Sequence, residues 1–139
     1  MPPRTMIIVE DSAGIRERIR AHVDAIGNIR IVGEAEDVAT AIDLIDRHQP
    51  DLVTLDIRLK DGGSGLRVLE HLRGREQQPQ VVILSAAFDH QRIPESLAAS
   101  LPPVLDKITE FHRLADQLRV AMAESQAAAA ARGSGGQLA

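Results

Sequence analysis

The sequence predicts an α/β fold, a doubly wound sandwich in which a five-stranded parallel sheet is covered by helices on both faces. Three observations predict it. Short apolar runs, mostly rich in Val and Ile, alternate with amphipathic segments along the chain. The alternation implies parallel pairing through right-handed crossovers. A length of 139 residues suits one domain with a sizeable core and leaves no room for a second.

The elements follow in order. "TMIIVE" reads as the first strand, and Ile15, Ile19, Val23 and Ile26 then recur at helical spacing until Gly27 stops them. "IRIVGEA" is the second strand, followed by a helix on Ala41, Ile42 and Ile45 that ends before "HQP". "DLVTLD" is the third, and after a Gly-rich loop Leu66, Leu69 and Leu72 mark the third helix. "QVVILSA" is the fourth. "DHQRIPESLAASLPP" makes a poor fourth helix, with Pro94 in its first half and Pro102-Pro103 ending it. "PVLDK" is a weaker fifth strand, and Phe111, Leu114, Leu118 and Ala121 predict a last helix from about Thr109. From these patterns we expect a domain over residues 1–124 and an Ala/Gly-rich flexible tail over 125–139, where the alanines can extend the helix and "GSGG" cannot hold it well. No repeat of solenoid period occurs.

Composition narrows the function. Hydrophobic residues make up 44% and charged residues 26%, ordinary for a globular chain. The formal charge is -4, without a basic block, and the aromatic residues are two phenylalanines, so nucleic-acid binding lacks both its phosphate-neutralising patch and its stacking rings. Absence of cysteine excludes disulfides, thiolate metal sites and Cys nucleophiles. The chain has neither a signal-peptide pattern nor an apolar run long enough to span a membrane, so the cytoplasm is the expected location.

Polar residues gather where the strands end. In an open parallel sheet, ligands bind beyond the carboxyl ends of the strands. The first strand ends in Glu10-Asp11, the third in Asp56, the fourth in Ser85 and the fifth in Asp106-Lys107. Alone, each has a bland reading: Asp56 a turn residue, Glu10-Asp11 an acidic helix start, Ser85 a strand-end hydroxyl, Lys107 a surface charge. Together they bring three carboxylates to one edge, where repulsion would protonate one of them unless a cation offsets the charge. Mg²⁺ is the natural cation, with two carboxylates and a backbone carbonyl such as that of Arg58 as protein ligands. Lys107 supplies a mobile charge suited to a phosphate oxygen or to Asp56, and Ser85 a hydroxyl donor. The set reads as a phosphoryl-transfer site. "GGSG" lacks the Lys-Ser/Thr of a phosphate-binding loop and reads as a turn, and the five histidines are scattered without metal spacing.

"IIVEDS", "LVTLDIRLKDGGSGL", "VVILSA" and "VLDK", in that order, resemble the receiver domain of two-component response regulators, over residues 5 to about 124. The resemblance implies the flavodoxin-like (βα)5 fold with strand order 2-1-3-4-5. It further implies that Asp56 accepts a phosphoryl group from a phosphohistidine, carried by a sensor histidine kinase or a histidine phosphotransfer protein. Glu10 and Asp11 would hold Mg²⁺ with Asp56 and the Arg58 carbonyl, while Ser85 and Lys107 contact the phosphoryl oxygens. Such a chain is a switch, not an enzyme beyond its own phosphorylation and dephosphorylation. It would signal to a downstream protein as a monomer or weak dimer.

Three positions depart from the receiver pattern. Ile108 follows Lys107 where the family usually has Pro, Val104 stands in place of an aromatic three residues before the lysine, and Lys60 replaces a common Pro in a loop one residue longer. Val104 and Ile108 favour an alternative, a degenerate receiver that binds its partner constitutively. A metal-dependent aspartyl-phosphate phosphatase is the other alternative, but there the residue two past the nucleophile is an acid, and here it is Arg58.

Overall fold

The computed structural model describes residues 2–86, 88–89 and 92–138, with side chains described to residue 131. Five strands, β1 (Arg4–Val9), β2 (Ile29–Ala35), β3 (Leu52–Leu55), β4 (Gln80–Ser85) and β5 (Val104–Asp106), form one sheet of order β2-β1-β3-β4-β5. Every pairing is parallel. The helices α1 (Ala13–Ile26), α2 (Val38–His48), α3 (Gly65–Leu72), α4 (Glu95–Ala98) and α5 (Leu114–Leu138) connect and cover it. Predicted fold class and strand order are both observed.

Alternation along each strand divides the core into two layers. Ile7, Val9, Val53, Leu55, Val81 and Ile83 face one way and pack with Ala41 and Ile45 of α2, Val68, Leu69 and Leu72 of α3, and Leu97 of α4. Met6, Ile8, Leu52, Val82, Leu84 and Leu105 face the other way, under Ile19 and Val23 of α1 and Leu114, Leu118 and Ala121 of α5. Continuing the same period, Glu10 follows Met6 and Ile8, and Asp56 follows Leu52 and Thr54.

Side-chain caps start the helices where strands hand over. Ser12 accepts the amide of Ile15 at the head of α1, Asp37 that of Thr40 at α2, and Ser64 that of Leu66 at α3. Gly27, with φ of 76°, closes α1 in a conformation that glycine reaches without steric strain.

Two boundaries differ from the sequence reading. The fourth helix is a single turn of 4 residues that Pro94 caps, because Pro102 and Pro103 prevent extension and Leu97 is its one buried anchor. The last helix starts at Leu114, not Thr109. Asp106 there accepts the amides of Ile108 and Thr109 on one oxygen, and its carbonyl accepts the amide of Glu110, so 107–110 form a turn that ends in the 3-10 segment Phe111–Arg113. Beyond Ser125, α5 continues through the alanines to Leu138. Among the described residues no helix is long and apolar enough to cross a membrane.

Thr54 is 1% exposed in the middle of β3, and its hydroxyl has no hydrogen-bond partner among the described residues. Its neighbours across the sheet, Ile8 and Val82, are both aliphatic. Thr54→Val removes the unpaired hydroxyl at nearly constant shape, and is expected to raise stability by about 1 kcal/mol in urea unfolding with an unchanged m value.

Candidate functional site

The carboxyl ends of β1, β3, β4 and β5 meet at one edge of the sheet. Glu10, directly after β1, is 1% exposed and Asp56, directly after β3, is 4% exposed. Asp11 lies beside them on the surface, and carboxylate oxygens of the three lie within 4.8 Å of one another. Backbone bonds fix the two buried acids: the amide of Glu10 donates to Ala35 and that of Asp56 donates to Val9.

Lys107 crosses to these acids from the far side of the crevice. Its Nζ donates to Glu10 Oε1 at 2.6 Å and to Asp56 Oδ2 at 2.7 Å, with the lysine side chain 13% exposed. The amide of Lys107 donates to the carbonyl of Ser85, which locks the end of β5 to the end of β4. Burial opposes the lysine's charge, but the bonds and charges of Asp56 and Glu10 outweigh it and hold its pKa above the ordinary value.

The remaining candidates take different places. Ser85 is 3% exposed at the end of β4, and its hydroxyl donates to the carbonyl of Ala86 at 3.4 Å, so it borders the cluster without bonding to it. The amide of Arg58 donates to Asp56 Oδ1 at 3.3 Å, while its side chain is exposed. Ile108 is 77% exposed, directly beyond Lys107, and no cis peptide bond occurs among the described residues. Val104 and Phe88 are half-buried against the same layer of core.

Burial pushes Glu10 up from 4.5 to about 7; the bonds from Lys107 and from the amide of Ser12 pull the other way, and the charge of Asp56 adds to the rise. Carboxylates so close, two of them already gathered on one ammonium, are a donor set that fits a hard divalent cation such as Mg²⁺. A raised acid binds its proton more tightly folded than unfolded. Its stabilisation is therefore complete below pH 4.5 and is lost as pH rises through about 7. In metal-free buffer, the stability of wild type relative to Glu10→Gln is expected to decline between about pH 5 and about pH 8, as measured by urea unfolding at each pH. A difference that stays level across that range contradicts the raised Glu10.

The loop after β3 is ordered rather than loose. A 3-10 turn, Lys60–Gly62, carries Asp61 and Gly62 at φ of 60° and 72°, and Arg58 bridges Ser64 across its base. Sequence reasoning missed Arg16, whose guanidinium donates to the carbonyl of Glu10 at 2.9 Å from the first turns of α1. Nothing in one sequence separates it from the other arginines of that helix.

A doubly wound sheet with buried carboxylates and a lysine converging at its switch point defines the class of signalling receivers. The chain belongs to the response regulator receiver domain family, whose model matches residues 6–119. It is 30% identical over 108 residues to the transcriptional regulatory protein MalR of Bacillus subtilis, covering 78% of this chain and 46% of that protein. With the transcriptional regulatory protein NarL of Mycobacterium tuberculosis it shares 34% over 105 residues, 72% of this chain and 48% of the other. The chain thus spans about half the length of these curated relatives. In fold it is similar to the signal receiver domain of a Luxo repressor protein from Vibrio parahaemolyticus, with TM-score 0.80 and 22% identity over 93% of this chain and 97% of the other.

Proposed function

We propose that the protein is a phosphoacceptor of two-component or phosphorelay signalling, phosphorylated on Asp56 by a histidine kinase or histidine phosphotransfer protein. The observation that carries this reading is the placement of Asp56, buried and bonded to Lys107 beside Glu10 and Asp11. In the reaction, a carboxylate oxygen of Asp56 attacks phosphorus, the phosphorus–nitrogen bond of the donor breaks, and the imidazole leaves with the electron pair. Glu10, Asp11, Asp56 and the Arg58 carbonyl would hold Mg²⁺, which offsets charge on the transferring group. Lys107 would shift from Asp56 to a phosphoryl oxygen, and Ser85 would turn its hydroxyl toward another.

The chain's chemistry ends there, in its own phosphorylation and dephosphorylation. Residues 1–124 act as the receiver unit, with 125–139 an appended tail, and the output is a contact with a downstream protein in the cytoplasm. Incubation with acetyl phosphate and Mg²⁺ should add one phosphoryl group to the intact mass. No gain at any Mg²⁺ concentration would favour the second reading, a constitutive protein-binding adaptor, which is supported by Val104 standing where a receiver usually carries its turning aromatic.

A further inference from the structure

Glu36, in the turn between β2 and α2, carries a different cation on each carboxylate oxygen. Its Oε1 lies 3.2 Å from the guanidinium of Arg16 on α1, and its Oε2 lies 3.4 Å from the Nζ of Lys60, in the loop that follows Asp56. Both cations are tied in again through other bonds. Arg16 donates to the carbonyl of Glu10 at 2.9 Å and pairs with Glu34 of β2 at 3.5 Å. Lys60 donates its backbone amide to the carbonyl of Glu36 at 3.0 Å, a bond that proline, the common residue there, cannot make.

We propose that Arg16 and Lys60, meeting on Glu36, are positioning residues that hold the two halves of the metal-ligand set in register, the Glu10-Asp11 turn on one side and the Asp56–Arg58 segment on the other. This rests on the reading of that set as a Mg²⁺ site. Neither side chain enters the acidic cluster. Arg16 is the stronger member, with a side chain 16% exposed and a planar fork that meets three acceptors at once. Lys60 is 60% exposed and its ion pair alone would be weak, so its backbone bond carries most of its share.

The sign of the effect separates positioning from charge. Removing a positive charge near an acidic site should, through space alone, tighten Mg²⁺ binding. Loss of positioning should weaken it, as outer-shell partners of metal ligands commonly do by about 10–100-fold. Mg²⁺ affinity is measured from amide resonances of wild type, Arg16→Met, Arg16→Lys and Lys60→Pro, with thermal midpoints recorded alongside. Expected are a loss of about 10-fold for Arg16→Met, partial recovery in Arg16→Lys, and a smaller loss for Lys60→Pro. Wild-type or tighter Mg²⁺ binding by Arg16→Met overturns the inference while leaving the site reading intact. Should Arg16→Met not fold, unchanged affinity in both Arg16→Lys and Lys60→Pro does the same. Failure of the wild type to bind Mg²⁺ overturns the site reading, and the inference with it.

Discussion

Asp56→Asn is expected to abolish phosphoryl uptake while the fold survives. Asparagine has the shape of aspartate, so the amide bond to Val9 and the close packing at the end of β3 are preserved. Its neutral amide is no nucleophile toward phosphorus, and Glu10, the other acid on Lys107, has its second oxygen held by the Ser12 amide. With the charge of Asp56 gone, one cause of the raised Glu10 pKa disappears, and Glu10 should titrate lower than in wild type. Intact mass after acetyl phosphate and Mg²⁺ should show one added phosphoryl group in wild type and none in the variant. Equal gain in both would sink the assignment of Asp56.

Gly65→Ala should damage the same site from behind. A Cβ built at Gly65 would lie 2.2 Å from the carbonyl oxygen of Asp56 and 3.1 Å from the Cα of Ile57, both backbone atoms that cannot rotate away. The loop also turns back on itself here, because the amide of Gly65 donates to the carbonyl of Ile57 at 2.7 Å. Relief requires moving either α3 or the residue that follows β3. A stability loss of about 1–3 kcal/mol is expected from overpacking. Phosphorylation should slow by about 10-fold or more, since an ångström of misplacement is costly to a positioned reaction. Gly14→Ala is the control: its new Cβ meets nothing nearer than the Ser12 hydroxyl at 3.9 Å, and alanine favours the helix. Should Gly65→Ala match the control in stability and rate, the close approach has no consequence.

The sequence displayed the sheet because the strands are short segments rich in Val, Ile and Leu set between helical patterns, and a doubly wound sheet then puts every strand's carboxyl end at one edge. Glu10, Asp56, Ser85 and Lys107 were therefore legible as neighbours before any coordinate, although they stand 97 positions apart at the extremes. What stayed hidden depends on competition between local bonds. The start of α5 was displaced because Asp106 captures the amides of Ile108 and Thr109, and a periodicity of apolar residues carries no trace of that. Arg16 and Glu36 escaped notice for another reason: charged residues on a helix face and in a turn look alike whether they meet solvent or one another. The turn at Lys60–Gly62 shows in the sequence only as a Gly-rich loop, since its bond to Glu36 joins segments 24 positions apart.

The contact between Glu10 and Lys107 also sets an order of events in the life of the chain. Both acids that Lys107 holds leave the ribosome well before it does, and until then their carboxylates lack the ammonium that joins them. Competence to accept phosphate thus waits on the last strand of the sheet in chain order, and a nascent or truncated chain lacking β5 and Lys107 is expected to be silent to a phosphodonor even with Asp56 in place.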